Sequence, residues 1–420
     1  MKRIYGGPVC GPFHTTKEVT AELMIYLDNA ATTPIDPRVI DAMLPYLRFE
    51  YGNPGSIHTM GCHARAAIDK ARQQVAEFFS ADPAQIIFTS GGTESNNFAL
   101  RCMRSVGVFE YDARDYAITS EMEHDSVFNV MSRREVVHHI QLAKPDSTGR
   151  ITYDSFRDAV NRRGCDPSFV SLMYMNNETG AVSDIDAISE WCLEHGIPIH
   201  VDCVQAAGFL DLNARRIPFD FASVSSHKIH GPKGVGCLFV REPSRISPLI
   251  IGGDEQEYGL RGGTENVAGI VGFGEACRIA KEALSYRASY CAGLARGFLG
   301  IVKAVLEARG AGSLVESIQI NGPSEPNKIL NIRVPGIDAE TLVLMLDCHG
   351  VCISAGSACH AHENHPSRAL VATGLKANEA RESVRISFGS QNTPAEINEA
   401  AENFAHCIWM LSNTQRQYDA

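Results

Sequence analysis

The stretch Ser225-Ser226-His227-Lys228-Ile229-His230-Gly231-Pro232-Lys233-Gly234 decides the fold, because it joins two apolar runs at residues 219–224 and 235–240. Apolar runs bounded by turn residues are typical of buried strands. Lys228 is therefore expected where a packed interior meets a cleft. An amine in such a place gives up its proton readily and can form an imine with an aldehyde. A lone loop lysine is more often solvated, so the choice between these interpretations depends on the rest of the chain.

The composition indicates a globular protein of more than one domain. The chain has 420 residues, of which 44% are hydrophobic and 21% charged, and this length allows two domains. No stretch reaches the roughly 18 to 20 apolar residues that span a bilayer. The net charge of −11 argues against a general polyanion-binding surface. We therefore expect no membrane insertion and no direct nucleic-acid binding.

The thirteen cysteines are scattered without a tight framework, which indicates reduced thiols and a cytoplasmic location. Cys348 and Cys352 form a CxxxC pair with no second pair nearby, so we expect no metal site. Residues 1–23 lack the apolar segment of a secretory signal, and Glu18 and Glu22 argue against an organelle-targeting peptide. A disordered extension is the prediction for these residues.

Strand-like runs alternate with helical ones along the chain. Further strands are predicted at residues 85–89, 116–119, 169–175 and 197–201. The polar segments that follow them are residues 90–97, 121–124, 176–178 and 202–205. This alternation predicts a mostly parallel sheet with helices on both faces, and such sheets bind ligands beyond the carboxyl ends of their strands. A long helical stretch, at about residues 267–308, is expected to lead into a second domain.

The groups beyond the strand ends match what pyridoxal 5'-phosphate (PLP) requires. That cofactor needs an amine for its aldehyde, an acid for its pyridine nitrogen, donors for its phosphate and a flat partner for its ring. Lys228 supplies the amine. Asp202 supplies the acid, since a buried carboxylate needs a cationic partner, and Gln205 is close enough in sequence to reach the phenolic oxygen. Gly92 and Thr93 open a helix whose N-terminus can bind an anion.

Each of these residues also has a simpler interpretation. Asp202 could cap a helix, because aspartate favours that position. His124 could stack on a cofactor ring or move protons, but single histidines are more often structural. A Gly-Gly-Thr turn starts many helices. The ordered convergence of these signals, and no single one of them, favours a PLP site.

Several motifs stand in an order that resembles the cysteine desulfurases of the NifS/IscS type, in the class V aminotransferase group of fold-type-I PLP enzymes. The motifs are Tyr26–Pro34 (YLDNAATTP), Gly52–Ser56 (GNPGS), Thr89–Asn96 (TSGGTESN), Asn176–Gly180 (NNETG), the segment around Lys228, Arg261–Asn266 (RGGTEN) and Ser383–Gly389 (SVRISFG). The resemblance implies an α/β fold of the fold-type-I PLP transferase class. Its large domain has a mostly parallel seven-stranded sheet flanked by helices, and a smaller α+β domain follows.

The resemblance also implies domain limits. Residues 24–38 are expected to pack with the small domain, residues 39–275 to form the large PLP-binding domain, and residues 276–420 to form the small domain with the catalytic cysteine loop.

Roles for the cofactor-binding residues follow from the same resemblance. Lys228 would bind the aldehyde of PLP, Asp202 the pyridine nitrogen and Gln205 the phenolic oxygen, while His124 would stack on the ring. The residues implied to hold the phosphate are Gly92, Thr93, Ser225 and His227, with Thr264 reaching the phosphate in the neighbouring subunit. A homodimer with shared sites is therefore expected.

Substrate binding is implied for Asn177, Arg385 and Asn53. Asn177 and Arg385 would bind the α-carboxylate of the substrate, the arginine as a two-pronged partner.

Cys359 matches the family's sulfur-accepting cysteine, and a thiolate is the nucleophile that such chemistry requires. The implied reaction converts L-cysteine to L-alanine, with Lys228 and His124 moving protons and Cys359 keeping the sulfur as a persulfide. An acceptor protein, such as an iron–sulfur scaffold or a tRNA-thiolation relay protein, would then take the sulfur. The long interval between Cys359 and Arg385 resembles the subgroup with an extended catalytic loop, which suits delivery to a partner.

The sequence departs from the family pattern directly after Cys359. The segment continues with His360, His362 and His365, and a Cys-His step at this site also resembles selenocysteine lyases. These histidines could depress the pKa of a neighbouring thiol, bind a metal adventitiously or be solvated. Three alternatives stay open: a selenocysteine lyase, a PLP transaminase or lyase without sulfur transfer, and a scaffold of a sulfur-transfer complex.

Overall fold

The computed structural model describes residues 24–106, 116–356 and 366–418. The strands in these residues are β1 (Ile25–Tyr26), β2 (Ile86–Thr89), β3 (Tyr116–Ser120), β4 (His139–Ala143), β5 (Val170–Met173), β6 (Ile199–Asp202), β7 (Phe221–Ser225), β8 (Gly236–Val240), β9 (Gln319–Ile320), β10 (Ile329–Arg333), β11 (Val351–Cys352) and β12 (Ser383–Ser387). The α-helices are α1 (Pro37–Arg48), α2 (Thr59–Phe79), α3 (Gly92–Val106), α4 (Asp125–Met131), α5 (Tyr153–Asn161), α6 (Ile185–Glu194), α7 (Val267–Glu282), α8 (Leu284–Ala308), α9 (Gly312–Ser317), α10 (Ala339–Cys348), α11 (Arg368–Ala372), α12 (Ala377–Ala380) and α13 (Pro394–Tyr418).

The central sheet, as far as the chain is described, has seven strands in the order β2-β8-β7-β6-β5-β3-β4. All of them run parallel except β8, which is antiparallel to both of its neighbours. Strands β5, β6 and β7 are buried at every residue, as expected for strands covered by helices on both faces. The predicted fold class, a mostly parallel seven-stranded sheet flanked by helices, is confirmed.

The sheet order places the polar segments side by side. The parallel strands β3, β5, β6 and β7 have their carboxyl ends at one edge. Because β8 lies antiparallel between β2 and β7, strand β2 runs parallel to β7 and its carboxyl end lies at the same edge. There Gly236 of β8 pairs with Thr89 on one side and with Ser225 on the other. Five separate segments of the chain therefore meet at this edge.

The hydrophobic core between the central sheet and its helices has two parts, one with residues of α2, α5, α6 and α7 and the other with residues of α3 and α4. Phe239 of β8 lies between Phe79 of α2, at a ring-centroid distance of 5.5 Å, and Phe219, at 5.3 Å. Helices α2 and α7 approach each other so closely that an added Cβ at Gly274 of α7 would lie only 2.7 Å from the Cα of Ala71 of α2. Burial of each large apolar side chain contributes about 1.5–3 kcal/mol to such a core.

A second core surrounds the small sheet β12-β10-β9 and helices α8, α10 and α13. Phe298 of α8 packs edge-on against Phe404 of α13 at 5.5 Å. The N-terminal strand β1 pairs in parallel with β11, and Leu27 is fully buried in this second core. The N-terminal segment then crosses to the central sheet, where the Thr33 N–H donates to the carbonyl of His227.

The predicted long helix at residues 267–308 is two helices. Helix α7 ends at Glu282 and α8 begins at Leu284, with Ala283 between them outside helical geometry. No local helix breaker explains this, since Glu282, Ala283 and Leu284 all favour helix. The break has a tertiary cause, because α7 packs on α2 and α1 whereas α8 packs on α13.

The limits assigned to the two domains stay predictions, as does the disordered extension at residues 1–23, which lies outside the described residues. In the part of the chain that is described, no helix combines the length and the apolar character needed to cross a membrane.

Candidate active site

A cavity of about 260 Å³ opens at the carboxyl edge of the central sheet. Most of the predicted site residues line it: Gly92, Thr93, His124, Asn177, Asp202, Gln205, Ser225, His227, Lys228 and Arg385. The remaining lining residues are Ala30, Ala31, Asn96, Ser126, Met173 and Val204.

Lys228 reaches the cavity from the turn that follows β7. A single 3₁₀ turn, Ser226–Lys228, ends with the lysine, whose Nζ donates hydrogen bonds to the carbonyls of Ala30 at 2.6 Å and Ala31 at 2.7 Å. Those carbonyls belong to the segment that follows β1. The amine is therefore held, half-buried, against one wall of the cavity by residues almost 200 positions away in the sequence.

Asp202 lies at the end of β6 and is 3% exposed. Its Oδ2 accepts a hydrogen bond from Asn96 Nδ2 at 2.9 Å, and its Oδ1 accepts one from the Val204 N–H at 3.0 Å. Among the described residues no lysine, arginine or histidine forms an ion pair with it. Turns and no helix follow this residue, so it does not cap a helix. A buried carboxylate without a cation favours a positively charged ligand group beside it.

A hydrogen-bonded chain connects this carboxylate to His124. Asn96 Nδ2 also donates to Ser126 Oγ at 2.9 Å, and Ser126 Oγ lies 2.8 Å from Nδ1 of His124. The backbone N–H of Ser126 donates to the same Nδ1 at 3.1 Å, which makes His124 the N-cap of α4. Because Nδ1 accepts, the neutral imidazole carries its proton on Nε2. His124 thus has a structural role as well as a place at the cavity.

Two amide oxygens in the cavity wall are buried without a hydrogen-bond partner in the described structure. They are Oε1 of Gln205, whose Nε2 donates to the Ala30 carbonyl at 2.8 Å, and Oδ1 of Asn96. Buried polar atoms are nearly always satisfied, and an unsatisfied one costs about 1–3 kcal/mol. A polar ligand in the cavity would remove this cost.

The start of α3 forms the anion-binding side of the cavity. Gly91 has a φ of 150°, which favours glycine, and a Cβ at Gly92 would lie 2.8 Å from Val204 Cγ2. The missing Cβ atoms leave a cradle beside the helix N-terminus, where backbone N–H groups attract anions. Ser225 is buried next to it, and burial lowers the pKa of His227 to about 4, with Lys228 and Lys233 adding repulsion.

Arg385 of β12 enters the cavity from the second core and is only 2% exposed. Its Nη2 donates to Asp28 Oδ1 at 2.7 Å, its Nη1 donates to the carbonyl of Asn177 at 3.0 Å, and its Nε is buried without a hydrogen-bond partner among the described residues. The guanidinium is therefore fixed in direction by both cores, and one of its donors is available to a carboxylate.

Two of the predicted residues that the structure describes, Asn53 and Thr264, do not line the cavity. Asn53 is exposed and its Oδ1 accepts the Gly55 N–H at 2.9 Å. Thr264 is exposed on the loop between β8 and α7. Cys359 lies outside the described residues, as do His360, His362 and His365. Within the described ranges, no group of three or more histidine, cysteine or acidic side chains is arranged to hold a metal ion.

Sequence reasoning missed the residues that connect the predicted ones. Asn96, Ser126 and the carbonyls of Ala30 and Ala31 received no role, although Asn96 stands in the glycine-rich motif and the alanines in the N-terminal motif. For Asn96 and the two alanines, the position in those motifs was a signal, whereas Ser126 stands outside the quoted motifs.

The residues present fit PLP. The cavity combines an amine, a buried carboxylate without a cationic partner, unsatisfied amides and a glycine cradle at a helix N-terminus. Lys228 would hold the aldehyde, Asp202 the pyridine nitrogen, Gln205 the phenolic oxygen, and Gly92, Thr93, Ser225 and His227 the phosphate.

Known proteins are similar to this chain in sequence and in architecture. The sequence matches the family described as aminotransferase class-V over residues 25–399. A cysteine desulfurase of Nostoc sp. is 36% identical over 390 residues, which cover 90% of this chain and 91% of the relative. A solved NifS-like protein is 31% identical with a TM-score of 0.80, over 92% of this chain and 100% of that chain. The structure of SspA in complex with cysteine is 29% identical with a TM-score of 0.69, over 88% of this chain and 99% of that chain.

Proposed function

The chain belongs to the class-V aminotransferase family, and we propose from this premise that it is a PLP-dependent cysteine desulfurase. The observation that supports the proposal most strongly is the meeting of Lys228, Asp202 and Arg385 at one cavity. An amine for an aldehyde, an acid for a pyridine nitrogen and a fork for an α-carboxylate together suit an amino-acid substrate.

The residues around the amine would bind the substrate and move its protons. When bound, PLP supplies an electron-withdrawing ring that stabilises negative charge next to the α-carbon of the amino acid. Lys228 moves a proton at that carbon, and His124 is the second proton-handling group through Nε2. Arg385 and Asn177 hold the α-carboxylate, and this contact restricts the orientation of the substrate side chain that carries the sulfur.

Cys359 is proposed as the sulfur carrier. Its thiolate attacks the sulfur of L-cysteine, so that an S–S bond forms while the Cβ–S bond of the substrate breaks. The electron pair of the broken bond stays on Cβ, which takes a proton and becomes the methyl group of L-alanine. The enzyme keeps a persulfide. The thiol of Cys359 and the thiol of the substrate bring two protons, of which one remains on the persulfide and the other forms the new C–H bond of alanine. No external oxidant is needed.

The exposed position of Thr264 supports a homodimer. Thr264 does not line the cavity of its own chain, and in a homodimer it would reach the phosphate site of the neighbouring subunit. The loop is held to the cofactor side of its own subunit by Arg261, whose Nε donates to Glu94 Oε1 of α3 at 2.9 Å.

The persulfide would pass to an acceptor protein, such as an iron–sulfur scaffold or a tRNA-thiolation relay protein. We place this transfer in the cytoplasm, because each of the eleven cysteines in the described residues is a free thiol, as expected in a reducing compartment.

Alanine release from L-cysteine and from L-selenocysteine, measured on the PLP-bound protein, tests the proposal. We expect the wild type to release alanine from L-cysteine and Cys359→Ser to lose this activity, while Cys62→Ser, at an exposed cysteine away from the cavity lining, keeps it. Turnover of L-selenocysteine alone would identify a selenocysteine lyase, which the Cys359-His360 step resembles. Alanine release by Cys359→Ser at the wild-type rate would exclude Cys359 as the carrier.

A further inference from the structure

Arg368 makes an unusual set of contacts for a residue with no role in the proposed reaction. It is the first residue of α11, and its guanidinium binds the turn between β3 and α4. Its Nη1 donates to the carbonyl of Glu121 at 2.6 Å, and its Nη2 donates to the carbonyl of Glu123 at 2.8 Å and to Asp125 Oδ1 at 3.0 Å. The guanidinium carbon also lies 3.8 Å from the centre of the Phe128 ring.

These contacts lie on both sides of His124. Glu121 and Glu123 precede the histidine, and Asp125 and Phe128 follow it in the first turns of α4. A single side chain thereby fixes the backbone that enters and leaves His124. Only an arginine has a planar fork that can bond two carbonyls and a carboxylate while its face lies on an aromatic ring.

The inner side of the same turn is held by Glu123. Its carboxyl group is buried, and Oε1 accepts hydrogen bonds from Ser120 Oγ at 2.6 Å and from the Met173 N–H of β5 at 3.0 Å. Burial raises the pKa of Glu123 to about 8, so the group is neutral near neutral pH. The turn is therefore pinned to the sheet from inside by Glu123 and from outside by Arg368.

The neighbour of Arg368 binds a second wall of the site. Ser367 Oγ donates to Glu178 Oε2 at 2.6 Å, and Glu178 directly follows Asn177 of the cavity. The described chain on the other side of residues 357–365 ends at Gly356, where an added Cβ would lie 3.9 Å from the same carboxylate oxygen. The backbone next to Arg368 is therefore held in place by the hydrogen bond between Ser367 and Glu178.

We propose that Arg368 is a positioning residue for His124, holding the imidazole against the cofactor site by clamping the turn at residues 121–125. This inference rests on the proposed function, because it assigns His124 a part in proton transfer and ring contact. Arg368 itself touches no cavity-lining residue in the described contacts, and the turn that it binds carries His124 into the cavity.

A double-mutant cycle tests this dependence. We expect Arg368→Gln to lower kcat for alanine release about tenfold, with KM for L-cysteine changed less than about twofold, because a small misplacement of a catalytic group reduces the rate without removing substrate contacts. In a His124→Ala background, Arg368→Gln should cause no further loss, since coupled residues are not additive. The matched control is Arg133→Gln, which changes an exposed arginine just after α4 and should behave as wild type.

The circular dichroism of bound PLP in the visible range gives a readout that does not depend on turnover. The signal reports how the ring is held, so Arg368→Gln should shift it in the direction of His124→Ala, whereas Arg133→Gln should leave it unchanged. Arg368→Lys keeps a charge beside Asp125 but lacks the planar fork that bonds the two carbonyls and the carboxylate together, and we expect an intermediate signal and an intermediate kcat.

The outcomes separate the two proposals. Equal losses of kcat from Arg368→Gln in the wild-type and His124→Ala backgrounds would overturn the positioning role. Wild-type kcat and wild-type dichroism in Arg368→Lys would overturn it as well. If Arg368→Gln does not fold, Arg368→Lys serves as the test. If the wild type releases no alanine, the desulfurase proposal fails, while the dichroism still tests whether Arg368 acts through His124.

Discussion

Arg385 shows how one side chain connects both cores to the chemistry. Its strand, β12, belongs to the second core, and its guanidinium is fixed by Asp28 and by the carbonyl of Asn177. A buried cation in this position costs free energy unless its donors are used. The unsatisfied Nε indicates where a substrate carboxylate would bind.

Replacing this arginine should weaken substrate binding. We expect Arg385→Gln to lower kcat/KM for L-cysteine about 10- to 100-fold, chiefly through KM, because hydrogen bonds to a charged group are lost. Arg385→Lys should recover little, since an ammonium lacks the fork. Steady-state kinetics measure this, with Arg333→Gln on the neighbouring strand β10 as control; an unchanged KM in Arg385→Gln would contradict the assignment.

At the level of elements, the loop between β8 and α7 is held by a buried ion pair. Arg72 of α2 and Glu257 are 4% and 3% exposed, and their closest atoms are 2.6 Å apart. Glu257 Oε2 also accepts the Phe88 N–H at 2.7 Å, while Glu257 and Tyr258 have positive φ angles of 42° and 59°. Contacts with α2 and β2 therefore keep a strained turn in place.

Breaking this pair should destabilise the protein strongly. We expect Arg72→Met to lower the free energy of unfolding by about 3–5 kcal/mol, because it leaves a buried carboxylate without a cation. Arg72→Met/Glu257→Gln should be more stable than Arg72→Met alone, since glutamine is neutral and still accepts from Phe88. Urea unfolding gives both values. Arg245→Met, which removes an exposed pair with Glu242, should cost less than about 1 kcal/mol; an equal cost for both arginines would refute the argument.

A histidine inside the central sheet makes stability depend on pH. His200 of β6 is fully buried between Ser171 Oγ and Ser223 Oγ, each 2.9 Å from a ring nitrogen, and burial lowers its pKa to about 3. In the unfolded chain this histidine binds a proton near pH 6.5, so below that value the unfolded state takes up the proton and the folded state does not.

Stability should therefore fall as the solution is acidified from pH 6.5 to pH 4, by roughly 3 kcal/mol from this residue. His200→Gln, which can still bond both serines, should flatten the pH dependence, whereas His138→Gln at an exposed site should not. Thermal unfolding over this range measures the slopes. An equally steep slope in His200→Gln would show that other groups, such as the buried His230, dominate.

At the scale of the whole molecule, the loop at residues 250–264 exposes an apolar side chain for which a single chain gives no reason. Ile251 is 86% exposed, and the loop is closed by contact between Gly252 and Gly262, where a Cβ at Gly262 would lie 2.3 Å from the Cα of Gly252. The same loop carries Thr264. The loop thus carries an exposed apolar residue, Ile251, and a threonine that does not line the cavity of its own chain. This combination is expected of a subunit interface.

We expect the protein to sediment as a homodimer of twice 45.7 kDa. Ile251→Glu should shift it toward the monomer and weaken PLP binding, because Thr264 of the second copy is then absent. Leu193→Glu, at a residue of α6 that is 65% exposed, should leave both properties unchanged. Analytical ultracentrifugation and PLP titration measure them, and a wild-type monomer that binds PLP fully would contradict the shared site.

Sequence patterns alone determined the alternation of strands and helices and the polar residues beyond the strand ends. Local apolar runs predict strands, and parallel strands end at one edge, so Lys228, Asp202 and His124 could be expected together before their positions were known. Only the tertiary structure decided what holds them. The carbonyls of Ala30 and Ala31 reach Lys228 because β1 is anchored in the second core, and the helical stretch at residues 267–308 breaks where its halves join different cores. These features depend on contacts between distant segments, which no local pattern of residues encodes.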